Sequence, residues 1–234
     1  MIRKKLLIYL IIFFLVSLSK DSKLISSELL RVNTPELIEG VVAVVNDEII
    51  TFRDISLELI IQGKITKNNI NIDEILNRII EDKLIYEQVV KFKYSNSLEQ
   101  NPLSVEKEFE SLKKMYASEE RLKEILFLLG TNIASLYERL QQKKIIYQYV
   151  SSVIYSSISY DMSELKDYYD KQSGSRNYTE EDFYLNLDQI KNNYIKEKSK
   201  QFYDDFINKL KSNSWIQIDK ELLAFFENKL KEDD

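Results

Sequence analysis

Hydrophobic and polar residues along this chain follow two spacings, one typical of strands and one typical of helices. Residues 41–51 form an apolar, β-branched run on both sides of Asn46-Asp47. Because Asn and Asp tolerate positive φ, this run predicts a β-hairpin with its turn at Asn46-Asp47. Every residue of the first strand is apolar, which predicts that both faces of that strand are covered.

From Thr51 onward the apolar residues recur every three or four positions, which predicts amphipathic helices. The predicted helix starts share a side chain that can accept a hydrogen bond from the first turn; they are Thr51, Asp73, Ser104, Ser118, Asn132, Ser163 and Thr179. Gly63 and Gly130 predict helix ends. A helix is predicted to restart at Thr179 and to carry one apolar face from Leu187 to Leu210, and a short strand at 215–218 and a helix at 221–230 follow.

The composition favours a packed helical protein and excludes several kinds of chemistry. Apolar residues make up 44% of the chain, and the 4 Gly and 2 Pro are too few for many short strands and turns. The net charge of -5 disfavours nucleic-acid binding, which needs a basic face. With no Cys and no His, the chain lacks a thiol nucleophile and the commonest general base and metal ligand. We therefore predict no catalytic residue, metal site or cofactor.

Residues 1–19 have the pattern of an export signal. Arg3-Lys4-Lys5 is followed by an apolar stretch and by small residues at Ser17 and Ser19. The 13 residues from Leu6 to Leu18 are fewer than the roughly 20 that span a bilayer as a helix, although an uncleaved membrane anchor is the alternative. Cleavage would change the net charge from -5 to -8. An exported chain without disulfides fits the periplasm of a double-membraned bacterium, with residues 20–38 as a polar tether.

Several stretches, in this order along the chain, resemble the SurA-like family of periplasmic chaperones. They are the hairpin at 41–50 followed by Asp54, the helix at 75–85, Leu129-Gly130 with 136–146, the segment 162–169, and the helix and strand at 188–218. The resemblance covers about residues 39–218 and implies a mostly α-helical chaperone module. In this family, as in the related helical arms of trigger factor, the last elements fold back onto the N-terminal module. The N-terminal hairpin and the C-terminal strand would then form one small antiparallel sheet, and Trp215 would pack in its core.

The resemblance also implies that a domain is missing. In the family, the helix that residues 162–169 resemble leads into a parvulin-type prolyl isomerase domain of about 90–100 residues. Between Lys171 and Thr179 the chain has only seven residues, and it has no histidine of the kind typical of parvulin sites. We therefore predict a protein that is not an enzyme. Its single domain would span residues 39–218, built from segments 39–172 and 179–218, with a C-terminal helix over 219–234.

The resemblance implies that the protein binds unfolded polypeptides, with envelope or outer-membrane proteins as clients. Such binding uses adaptable, exposed apolar area. The candidates are aromatic and Met residues outside the main helical stripes: Phe92, Tyr94, Met115, Tyr116, Phe127, Tyr155, Phe183 and Tyr184. For each of them the alternative is packing inside the core or lying singly on the surface.

For the whole chain, the alternative function is that of an envelope scaffold that binds one folded partner. Neither function involves nucleic acid. Contact with a membrane is expected only through residues 1–19, and only if they are not removed.

Overall fold

The computed structural model of the protein describes residues 40–63, 71–94, 103–173 and 179–231; the predicted export signal and tether lie outside these ranges. The strands are β1 (Val41–Val45), β2 (Glu48–Thr51) and β3 (Ile216–Ile218). The helices are α1 (Phe52–Ile61), α2 (Ile72–Lys91), α3 (Leu103–Met115), α4 (Glu119–Leu128), α5 (Ile133–Ser157), α6 (Met162–Ser173), α7 (Glu180–Leu185), α8 (Leu187–Ser212) and α9 (Lys220–Lys231). A mostly helical chain with a small antiparallel sheet confirms the predicted fold class.

The sheet joins the two ends of the described chain. Its strand order is β2-β1-β3, and both pairings are antiparallel. Just before β3, the Asn46 N–H donates to the Trp215 carbonyl at 2.8 Å, and the Asn46 side-chain oxygen accepts from the Trp215 N–H at 3.0 Å. Asn46 holds the left-handed backbone (φ 52°) that was predicted for the hairpin turn. The prediction that the hairpin and the last strand share one sheet is therefore confirmed.

A β-bulge at Val42 decides which residues of β1 are buried. The pairing register with β2 skips Val42, so Val42 and its neighbour Ala43 are both buried in the core. The opposite face of the sheet stays open, with Val41 and Ile49 exposed. The expectation that both faces of the strand are covered is therefore wrong at Val41. Trp215, expected in the core, is 57% exposed, because its backbone completes the sheet while its ring stays at the surface.

One hydrophobic core lies between the inner face of the sheet and helices α1, α2 and α9. In it, the ring of Phe226 from α9 stacks on the ring of Phe52 from α1, with 4.2 Å between their centroids. Leu223 of α9 is buried in the same cluster. The terminal helix and the N-terminal hairpin thus share a single core.

Two further cores build the helical body. In the first, α1, α3, α4 and the start of α5 pack together, and the Tyr116 hydroxyl donates to the Ile60 carbonyl at 2.9 Å. In the second, the long helices α2, α5 and α8 meet around Ile85, Tyr149 and Ile207. Among the helices in the described ranges, none has the length and apolarity needed to cross a bilayer.

Side-chain caps set most helix starts. The predicted caps form at Thr51, Ser118, Asn132 and Thr179. Three starts differ from prediction. Helix α3 begins at Leu103, one residue before the predicted start at Ser104. Asn71, rather than Asp73, caps α2 by accepting a hydrogen bond from the Glu74 N–H at 3.1 Å, and Asp161, rather than Ser163, precedes α6 and accepts from the Glu164 N–H at 2.9 Å. In these last two cases an Asx residue two positions earlier accepts the hydrogen bond first.

A buried ionic network ties α1 to α2 and α5. The Glu58 carboxylate is 1% exposed and accepts from the Lys143 ammonium at 2.8 Å, with the Arg139 guanidinium at 3.4 Å. Both cations also contact the Asp82 carboxylate, Arg139 at 2.8 Å and Lys143 at 3.2 Å. Burial alone raises the pKa of Glu58. The Lys143 ammonium, together with Gln62 and Arg139, outweighs burial, so the pKa of Glu58 lies below its usual value.

Replacement of Phe226 by alanine tests the core that α9 shares with the hairpin. Phe226 is 1% exposed, so we expect Phe226→Ala to lower the free energy of unfolding by about 3–5 kcal/mol. Its neighbour Phe225 is 48% exposed, and Phe225→Ala should cost about 1 kcal/mol or less. Urea denaturation followed by circular dichroism measures both variants. Equal losses would show that α9 does not pack as described.

Replacement of Glu58 by glutamine tests the ionic network. The change leaves two cations with one carboxylate, so we expect the free energy of unfolding at pH 7 to fall by about 3 kcal/mol. The matched control is Glu74→Gln, which removes an exposed pair with Arg78 and should change stability by less than about 0.5 kcal/mol.

The effect of Glu58→Gln should depend on pH. The folded-state pKa of Glu58 lies below the ordinary value of 4.5, so its stabilisation is fully present above pH 4.5. This stabilisation is lost as the pH falls through the folded-state pKa. In urea denaturation, the difference in free energy of unfolding between the unchanged protein and Glu58→Gln should therefore become smaller below about pH 4. A difference that stays constant from pH 7 to pH 3 would contradict a lowered pKa for Glu58.

Candidate functional site

Helices α6 and α7 pack on the N-terminal half of α8 around a fourth core, and we call this part the arm (residues 162–173 and 180–198). Its buried residues are Leu165, Phe183, Ile190 and Tyr194. Further along α8, Ile207 belongs to the core of the body. One continuous helix therefore fixes the arm to the body.

The helix predicted to start at Thr179 is divided at Asn186, whereas the apolar face predicted from Leu187 to Leu210 lies on the single helix α8. Asn186 (φ -104°, ψ 10°) separates α7 from α8, and its side-chain amide donates to the Asp182 carbonyl at 2.8 Å. Before this break Phe183 is buried in the core of the arm, and the next two residues lie outside it. Tyr184 is 57% exposed and Leu185 is 76% exposed.

A cleft of about 360 Å³ lies between α6 and α8, beside the end of α7. Its lining residues are Tyr168, Tyr169, Gln172, Asn186, Gln189, Ile190 and Asn193, and we call it the amide cleft. None of these described lining residues carries a charge, although 30% of the chain is charged. Four of them have primary amide side chains. The cleft thus offers hydrogen-bond donors and acceptors beside aromatic and aliphatic surface.

The two amides on α8 are available for a ligand. Gln189 and Asn193 stand four residues apart and therefore lie on the same face of the helix. Both are exposed, and neither side chain has a hydrogen-bond partner among the described residues. Ile190 lines the cleft beside them with apolar surface. Asn186 differs, because its amide already donates to the Asp182 carbonyl.

A second cleft of about 290 Å³ shares Tyr168 with the amide cleft, but it is charged. Its other lining residues are Glu164, Asp167, Lys171, Tyr194, Glu197 and Lys198. Burial, with the hydrogen bond to the Glu197 carboxylate, raises the pKa of Tyr168, and burial also raises the pKa of Tyr194. Both phenols therefore stay protonated at neutral pH, and the Tyr168 hydroxyl donates to the Glu197 carboxylate. Among the described residues, no three His, Cys, Asp or Glu side chains are grouped as a metal site requires.

The structure distributes the eight predicted polypeptide-binding residues over several surfaces. Phe92 is exposed at the end of α2, and Met115 is exposed at the end of α3. Phe127, on α4, is 79% exposed. Of the predicted residues that are exposed, only Tyr184 lies on the arm. Tyr155 belongs to α5, and its side chain lies outside the described part of the chain.

The other three predicted residues hold helices together. Tyr116 and Phe183 are buried in separate cores, so neither ring is part of the accessible surface. Tyr94 is partly buried: its ring meets the edge of Tyr149 at 5.2 Å, and its hydroxyl lies 3.4 Å from the Gln148 carbonyl. The alternative of core packing holds for Tyr116 and Phe183, because each faces the neighbouring helix across a dense apolar contact.

Leu185 and the cleft amides were not among the predicted residues. The sequence does carry one signal for them: positions 186, 189 and 193 place amides at the spacing of a single helix face. A prediction based on aromatic and Met residues does not detect this row of amides.

Comparison of the chain with protein-family models and with curated proteins found no match in either case.

Proposed function

We propose that the protein is a non-catalytic chaperone that holds unfolded polypeptides, and that the arm is the part that contacts them. The observation that supports this most directly is the amide cleft, whose described lining residues carry no charge, together with the exposed Tyr184 and Leu185. An unfolded chain presents unpaired backbone amides together with apolar side chains. A surface with uncharged polar groups next to apolar ones suits both at once.

The cellular setting of this proposal comes from the N-terminal pattern. Residues 1–19 would direct the chain to the periplasm, where outer-membrane and other envelope proteins pass in unfolded form. The net charge, -5 before and -8 after removal of that segment, makes copies of the chain repel one another. Such repulsion keeps a protein with exposed apolar residues soluble.

One observation favours a second candidate function, an envelope scaffold that binds a single folded partner. The exposed Val41 and Ile49 lie on the outer face of the sheet, and Trp215 is exposed just before β3. Exposed apolar side chains held on a rigid sheet suit a folded surface better than a mobile chain. The two functions differ in the surface used and in the number of partners.

An aggregation assay tests both the chaperone function and the proposal that the arm is the surface that contacts unfolded chains. The purified protein, at several-fold molar excess, should reduce the light scattering of a denatured envelope protein diluted into buffer. The double variant Tyr184→Ser/Leu185→Ser should need at least threefold more protein for the same effect, because it removes the apolar surface beside the cleft. Thermal unfolding of the variant should match that of the unchanged protein.

The matched control is Phe127→Ser, which removes an equally exposed apolar side chain from the body. It should leave the suppression unchanged. If the unchanged protein does not suppress aggregation at tenfold excess, the chaperone proposal is wrong. An equal loss with Phe127→Ser would instead show that the contact surface is not confined to the arm.

A further inference from the structure

We propose that the amide cleft binds the backbone of an extended polypeptide segment, through hydrogen bonds from Gln189 and Asn193 to its peptide groups. This inference rests on the proposed function and names the part of the client that the arm recognises. It assigns the cleft an uncharged, extended peptide as its ligand. Recognition would then depend little on which side chains the segment carries.

The spacing of the two amides matches the repeat of an extended chain. Along α8, four residues rise about 6 Å, which separates Gln189 from Asn193 along the helix axis. In an extended chain each residue rises about 3.3 Å, so peptide groups that point to the same side recur about every 6.6 Å. A primary amide can donate to a peptide carbonyl and accept from a peptide N–H at once. Two amides at this spacing can therefore hold two successive same-side peptide groups.

The chemistry of the lining also selects for the backbone. A peptide group is uncharged, as are all the described residues that line the cleft. A charged side chain entering the cleft would lose hydration without gaining an ionic partner among these lining residues. Gln172 faces the same cleft from α6, so donors and acceptors are present on both of its walls.

Sites that combine amide side chains with aromatic rings bind either peptides or sugars. The packing of the two tyrosines in the cleft favours a peptide. Sugar binding uses a free aromatic face on which the pyranose ring stacks. The Tyr168 ring meets Tyr194 edge to face at 5.4 Å, and the Tyr169 ring tilts against Phe183 at 5.6 Å. Both tyrosines are only partly accessible, because these contacts hold them in the arm.

Backbone N-methylation tests the inference directly. The probe is a fluorescent, end-capped decapeptide of Val, Ala, Ser and Thr, and its partner is the same peptide with every backbone nitrogen methylated. Methylation removes the N–H donor of every peptide group, on both edges of the extended chain, and keeps the side chains. Fluorescence anisotropy should show that the parent peptide binds the purified protein at least tenfold more tightly than the methylated one.

Variants locate the effect in the cleft. Gln189→Leu/Asn193→Leu should weaken binding of the parent peptide at least fivefold. It should weaken binding of the methylated peptide less, because the methylated peptide has already lost the N–H bonds to the two amides and keeps only the carbonyl bonds. The control Asn192→Leu changes an exposed amide of α8 that does not line the cleft, and it should bind like the unchanged protein. Thermal unfolding should show all three proteins folded.

The outcomes separate this inference from the proposed function. Equal binding of both peptides, with aggregation still suppressed, would overturn backbone recognition and leave the chaperone function standing. Binding of neither peptide, without suppression of aggregation, would overturn both. A third outcome would assign the cleft to sugars and overturn the inference. In it, the protein binds an uncharged chitin oligosaccharide but not the parent peptide, and Gln189→Leu/Asn193→Leu abolishes the binding of the sugar.

Discussion

The pairing of β1 with β3 is the constraint on which the rest of the structure depends. It brings Trp215 to Asn46, 169 positions earlier in the chain, and fixes both ends of the described protein in one sheet. Because β3 follows directly after α8, this pairing anchors the C-terminal end of that helix at the sheet. The inner face of the sheet then provides the surface on which α9 buries Phe226 against Phe52.

The position of the arm depends on the pairing of β1 with β3. With its C-terminal end held at the sheet, α8 crosses the body, where Ile207 is buried with α2 and α5, and continues into the arm. The ionic network around Glu58 fixes α1, α2 and α5 to one another and so stabilises the body that α8 crosses. The amide cleft can therefore be a preformed site, with its walls set by helix packing before any ligand arrives.

The features that the sequence predicts correctly are those decided by neighbouring residues. The turn at Asn46-Asp47 needs only residues that tolerate positive φ, and the caps at Thr51 and Thr179 need only a side-chain acceptor before a helical turn. The bulge at Val42 was missed because it depends on the pairing of β1 with β2, for which the apolar spacing within one strand gives no signal. The break at Asn186 was missed because the apolar spacing of Phe183, Leu187 and Ile190 continues across it. For the same reason, the polypeptide-binding residues predicted from their type alone include buried rings, while the amides that meet across the cleft were found only in the fold.

Site-specific photocrosslinking tests most directly whether unfolded chains contact the arm. A photoreactive phenylalanine analogue replaces Tyr184 in one protein and Phe127 in another, so that an aromatic position on the arm is compared with a more exposed one on the body. Both proteins are mixed with the same denatured envelope protein during dilution, and the crosslinked adducts are quantified. Our account predicts a client adduct at position 184 in at least fivefold excess over position 127. Equal adducts at the two positions, or an adduct at position 127 alone, would contradict it.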